Sequence, residues 1–242
     1  MIVSPPGGSV RNRLNYGRVD SMMPRARERH PVAHAELRTI PVAEHIMYMS
    51  AARKHHWTIE DVEVLVEKRA GYHPRYELVD GELLVTPAPS GTHQRIAVEL
   101  AFRLRQYIAR ERLGEIRLGP GEIKLVVGNR FEPDIFVVPG VAGRYARADD
   151  PVPHPLLICE VLSASSARHD RITKRRAYQR HDVPEYWVVD PNAHAFEVWR
   201  PTDDRAQLVD TVLLWRPEGC SEPFTLDVTR FFADVADGAP LA

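Results

Sequence analysis

Glu132-Pro133-Asp134-Ile135-Phe136-Val137-Val138 places an aspartate at the head of an apolar run. Leu156-Leu157-Ile158-Cys159-Glu160-Val161-Leu162 places a glutamate inside another. A buried carboxylate is destabilising unless it is paired or binds a cation. Two such strands point to a hard-metal site, and a hard cation between carboxylates points to phosphate chemistry. Pro133 biases Glu132 towards extended backbone and suits a strand entrance. Taken alone, Asp134 is equally a turn residue or strand cap. Glu160 has apolar neighbours on both sides, so a strand covered on both faces offers it no favourable place. The alternative is an edge strand with Glu160 facing water.

The flanking segments build an α/β order around these two strands. Thr58-Ile59-Glu60-Asp61 reads as a helix start, with Thr58 as N-cap and Asp61 completing a capping box. Val62, Leu65 and Val66 then share one face. Tyr76 to Val85 is two β-prone runs joined by Asp80-Gly81, a hairpin signal. Residues 92–112 read as a helix, with Ile96, Leu100, Leu104, Tyr107 and Ile108 at helical spacing and Gly114 ending it. Strands are expected at Glu115–Leu118 and Ile123–Val127, then at the Asp134 and Glu160 segments. Asp170 to His181 reads as a short basic helix stopped by Val183-Pro184. Glu185–Asp190 is a strand, Phe196–Trp199 and Gln207–Trp215 a final pair, and Phe231-Phe232 anchors a terminal helix. The order predicts one α/β domain with a mixed β-sheet core flanked by helices.

Asp170 and Lys174 are four apart and share a helical face. Spacing alone favours a surface ion pair; otherwise Lys174 points back at the acid pair, where an ammonium would stabilise phosphate charge or position a water. His93, near a helix start, could meet phosphate, although a solvated or core-satisfied histidine is the simpler expectation. Glu77 reads most simply as an outward-facing strand residue, and Lys124 as solvent-facing. Ser163-Ala164-Ser165-Ser166 reads as a small polar loop, not a nucleophile. Dinucleotide, Walker, His-Glu-x-x-His and Gly-x-Ser-x-Gly motifs are absent.

The chain has 242 residues and a formal net charge of −1. Residues 1–56 hold 9 Lys/Arg against 4 Asp/Glu, and the remainder 23 against 29. The first 55 residues, with Pro5-Pro6-Gly7-Gly8 and no sustained period, read as a disordered basic extension. Met47 and Met49 offer later starts, so residues 1–48 need not belong to the native protein. Residues 56–242 form the organised domain. Its acidity is not the footprint of a tight nonspecific DNA binder, although a bound cation would offset part of it. Two cysteines, Cys159 and Cys220, do not make a disulfide scaffold, and no apolar stretch nears the roughly 20 residues of a membrane span. A reducing, cytoplasmic setting with no membrane partner is expected.

Taken in order, these segments resemble the Uma-two family of the PD-(D/E)XK nuclease superfamily. The resemblance rests on Tyr76 to Leu83, Pro87 to His93, Glu132-Pro133-Asp134-Ile135, Glu160-Val161-Leu162-Ser163, Asp170 through Lys174 to Tyr178, and Val183 to Pro191. It spans about residues 57–235. It implies a restriction-endonuclease-like fold and a metal-dependent endonuclease acting on DNA. Asp134 and Glu160 would be the motif acids, holding Mg²⁺ (or Mn²⁺) with the backbone carbonyl of Val161. The superfamily lysine belongs two residues after the second acid, where this chain has Leu162. Lys174 matches the helical lysine that replaces it, and would orient or help deprotonate the attacking water. Glu77, His93 and Asp170 would support the site.

Two other classes stay open: a catalytically inactive nucleic-acid-binding or interaction module on the same fold, and a metal-dependent hydrolase of RNA or nucleotides. A homodimer is compatible with cutting two strands, which needs two sites. The nuclease reading requires Asp134 and Glu160 to share one face of the sheet.

Overall fold

In a computed structural model, which describes residues 56–123, 125–140 and 154–237, the first elements are helix α1 (Ile59–Lys68) and a hairpin of β1 (Arg75–Val79) and β2 (Glu82–Thr86). The long helix α2 (Gly91–Glu111) follows, then β3 (Gly114–Leu118), β4 (Ile135–Pro139) and β5 (Leu157–Val161). A π-helical segment (His169–Lys174) runs into α3 (Arg175–Arg180). Strands β6 (Tyr186–Asp190), β7 (Ala195–Trp199), β8 (Gln207–Val209), β9 (Val212–Trp215) and β10 (Phe224–Asp227) lead to α4 (Val228–Asp237). These residues fall within one compact unit, Met49–Ala242. The expected extension over residues 1–55 and the side chain of Lys124 lie outside the described residues.

Local chemistry sets several boundaries. Thr58 Oγ1 accepts the Asp61 N–H at 3.3 Å, and Asp61 Oδ2 accepts the Thr58 N–H at 3.0 Å, closing the capping box. Asp80 (φ 52°) and Gly81 (φ 77°) both take left-handed backbone, the geometry of a tight two-residue hairpin turn. Ser90 caps α2 by accepting the His93 N–H at 3.2 Å. The left-handed residue that ends α2 is Arg112 (φ 56°), not Gly114, which already begins β3.

Six strands form one mixed sheet in the order β3-β4-β5-β6-β7-β8. β5 and β6 are parallel, joined across the π-helical segment and α3, and the other neighbours are antiparallel. The mixed sheet flanked by helices agrees with the expected fold class. Both faces of the central strands are covered, so alternate residues enter two different cores. Ile135, Val137, Leu157, Cys159, Trp187 and Val189 face α2 and α4. Phe136, Val138, Ile158, Tyr186 and Val188 face Ala177 and Tyr178 of α3 and reach Val79 of the hairpin.

Three expected elements differ. Ile123–Val127 is not a strand: Ile123 makes one isolated bridge to Phe131, and Val127 is exposed. Gln207–Trp215 is two strands, because β8 ends the large sheet while β9 pairs with β10, a strand absent from the sequence reading. The basic helix begins at Ala167 rather than Asp170, and runs as a π-helical segment over His169–Lys174. Such turns are rare and are found mostly at functional sites.

Candidate active site

The register of β4 on β5 brings the two acids together. Ile135 pairs with Cys159 and Phe136 with Ile158. One step further sets Asp134 opposite Glu160, on the face shared with Phe136, Ile158 and Val188. The one-face requirement is met. The Asp134 backbone N–H donates to Glu160 Oε2 at 3.3 Å, and the Val161 N–H donates to Asp134 Oδ2 at 2.9 Å. Glu160 is 1% exposed in an internal strand, so it is not a water-facing edge residue.

Lys174 is not a surface lysine. It is 2% exposed, and its Nζ donates to Glu160 Oε1 at 2.9 Å. The same ammonium pairs with Glu77 Oε2 at 2.8 Å and Asp170 Oδ1 at 3.3 Å. The π-helical turn therefore points Asp170 and Lys174 into the core together. Leu162, in the usual lysine position, is a buried apolar residue against the second core.

Glu77 is 0% exposed and does not face outward. β1 is covered on both sides: Tyr76 and Leu78 meet α1, while Arg75, Glu77 and Val79 turn towards the large sheet. Glu77 Oε1 accepts the Glu132 N–H at 2.8 Å. His93 is buried rather than solvated, and its Nε2 lies 2.9 Å from Asp134 Oδ2. Arg75, which the sequence reading missed, donates from Nη1 to Asp134 Oδ1 and to the Glu132 carbonyl, both at 2.9 Å. Its signal was the odd-numbered alternation of β1, which puts Arg75 on the face of Glu77. Tyr178 closes the ring, its hydroxyl 3.4 Å from Glu160 Oε1.

Burial and charge pull these groups in opposite directions. Burial opposes the Asp134 charge, but the His93 contact and the Arg75 guanidinium prevail and hold its carboxyl at about 2. Burial pushes the Glu160 carboxyl well above its usual range; Lys174 opposes this, and Asp134, Asp170 and Glu77 reinforce it. Burial works against the Lys174 ammonium, yet Glu160, Glu77 and Asp170 overcome it and raise its pKa well above the ordinary value. Lys174 is therefore held as a cation among the three carboxylates, where it can hold charge and orient a group.

The donor set suits a hard divalent ion. Glu77, Asp134, Glu160 and Asp170 bring four carboxyl groups against two fixed cations, Arg75 and Lys174. With the imidazole set aside, full ionisation leaves two negative charges in excess. Among the described residues no three His, Cys, Asp or Glu side chains converge as a ready-made metal cage. Mg²⁺ usually keeps several waters and needs only one or two carboxylates, which Asp134 and Glu160 supply. Val161 meets the pair through its N–H.

Two clefts reach this cluster. One of about 550 Å³ runs between the start of α2 and the Ser163–Ala167 turn, and the other, of about 460 Å³, lies beside Tyr72, Gly119 and Asp134. Arg75 and His93 line both. Among the described residues no helix is long and apolar enough to cross a membrane.

Residues 60–229 match the model of the family described as "Uma2: Putative restriction endonuclease". Among solved structures the chain is similar to one described as a "putative nuclease belonging to DUF820" from Anabaena variabilis, with a TM-score of 0.54 and 20% identity. That likeness covers 74% of this chain and 99% of the other. No protein of curated function matches. With its mixed sheet, its acid pair in register and a family match over most of its length, the chain belongs to the Uma2 family and has a restriction-endonuclease-like fold.

Proposed function

We propose that this protein is a metal-dependent endonuclease that hydrolyses phosphodiester bonds in DNA. One observation carries the proposal: Asp134 and Glu160 stand opposite each other on one sheet face, with Lys174 Nζ 2.9 Å from Glu160. The family description and the fold of the solved relative support it.

Asp134 and Glu160 would hold Mg²⁺ (or Mn²⁺), with the Val161 carbonyl as a further oxygen. When bound, the ion would supply a water of lowered pKa and neutralise phosphate charge. Lys174 holds Glu160 in place and keeps a positive charge beside the reacting group. Lys174 would orient the attacking water or help to deprotonate it. Glu77 and Asp170 anchor Lys174. His93 and Arg75, which line both clefts, fix Asp134 in its ionised form at the smaller one.

The test uses circular DNA, so that only internal cuts count. Supercoiled plasmid and a single-stranded circle are incubated with Mg²⁺ or Mn²⁺. Wild type should cut, and Asp134→Asn, Glu160→Gln and Lys174→Ala should each lose at least about 100-fold, given the typical weight of such charge-stabilising groups. Absence of cutting by wild type, or equal cutting by the variants, rejects the proposal.

A further inference from the structure

The two clefts share their inner wall, and their sizes restrict what can reach Asp134. Asp134 and Arg75 are both more than nine-tenths buried; Arg75 and His93 line both clefts, and Asp134 lines the smaller. Each cleft, about 550 and 460 Å³, is of the size that encloses a small organic ligand, the scale of one nucleotide. A stacked and paired segment is too stiff to bend its backbone sharply down into either. A strand with free bases can bend its backbone inward and place one nucleotide on each side.

The linings differ in a way that matches the two halves of such a strand. The larger cleft bears the hydroxyls of Ser90, Thr92, Ser163 and Ser165. It is also lined by Arg75, paired with Asp134, and by Arg171, paired with Asp190 and Glu197. It also receives the start of α2, and helix N-termini favour anions. The hydroxyls and the helix start are the donors this cleft offers to sugar and phosphate. The smaller cleft is edged by Tyr72, 71% exposed, and by His73. An exposed aromatic ring beside a phosphate seat is a stacking platform for an unpaired base.

We propose that the substrate of this site is an unpaired phosphodiester strand rather than an intact duplex. The strand would thread from the hydroxyl-lined cleft across Asp134 to a base stacked on Tyr72. This rests on the nuclease reading for its chemistry but not for its binding, so the two can fail separately. The shared chemistry is a single polynucleotide strand, and DNA and RNA are separate arms of the test.

Binding is measured by fluorescence anisotropy in EDTA at fixed salt, using labelled 12-residue DNA and RNA strands and the matching DNA duplex. Variants are Tyr72→Ala, Tyr72→Phe, and Ala164→Trp, which fills the larger cleft from an exposed position. Their folding is checked by circular dichroism and thermal midpoint. At least one strand should bind about tenfold more tightly than the duplex. Tyr72→Ala should weaken it about tenfold and Tyr72→Phe should not, as expected for loss and retention of one stacked base. Ala164→Trp should weaken it similarly. Equal or tighter duplex binding, no binding of any strand, or folded Tyr72→Ala and Ala164→Trp variants that bind like wild type would each overturn the proposal. A strand that binds as expected yet stays intact with Mn²⁺ sinks the nuclease reading instead.

Discussion

Lys174 meets three buried carboxylates at 2.8–3.3 Å, and no water-facing position is left to any of the four groups. Removing one member of a buried ion cluster leaves charge uncompensated, which typically costs about 3–5 kcal/mol. Lys174→Met should lower unfolding free energy by that amount in urea titrations at neutral pH. A loss below about 1 kcal/mol would mean the cluster is solvated. Asp134 gives a pH signature of opposite character. Its folded pKa of about 2 lies below the ordinary 3.8, so its ionised form stabilises the fold above about pH 4. That contribution disappears as pH falls from about 4 towards 2. Urea midpoints should therefore drop more steeply for wild type than for Asp134→Asn across that window, and parallel curves would contradict the assignment. At this scale the sequence was informative about the acids and less so about their partners. A carboxylate in an apolar run is conspicuous by itself. Glu77 and Lys174 look like surface residues until the second covering layer is known, and Arg75 is visible only through the alternation of β1.

Helix α2 shows how an element carries a residue to its task. Ser90 caps the helix, and three residues later His93 reaches Asp134. Ser90→Ala should lower stability by about 1 kcal/mol in urea unfolding, the usual weight of an N-cap. A change below roughly 0.3 kcal/mol would show that tertiary packing alone fixes the helix start. Short-range chemistry was the legible part of the fold. The capping box at Thr58, the Asp80-Gly81 turn and the apolar stripe of α2 were all readable because neighbouring residues decide them. Ile123–Val127 misled because β-prone composition does not supply a pairing partner. Gln207–Trp215 misled because a change of sheet between Val209 and Val212 leaves no break in apolar content. Arg112 took the left-handed position two residues ahead of the glycine expected there, since β3 needs Gly114, whose absent side chain leaves room for the Val138 carbonyl.

For the molecule as a whole, the proposed metal site at Asp134 and Glu160 would tie stability to divalent ions. A ligand that binds only the folded state raises stability as its concentration passes its dissociation constant, by about 2.7 kcal/mol at 100 times that value. The thermal midpoint should rise with added Mn²⁺ and return with EDTA, and an Asp134→Asn/Glu160→Gln double variant should not respond. A wild-type midpoint indifferent to Mn²⁺ would remove the cofactor assignment and favour a non-catalytic module.

The contact between Glu77 and Lys174 spans the whole assembly, and it also spans time. The acid is synthesised 97 residues before its ammonium partner. At about 5–20 residues per second, a ribosome delivers the lysine roughly 5–20 s after the glutamate. During that interval the hairpin cannot settle over the large sheet without burying a lone charge. The N-terminal strand is thus made early but seated late, after the segment following β5 has been synthesised.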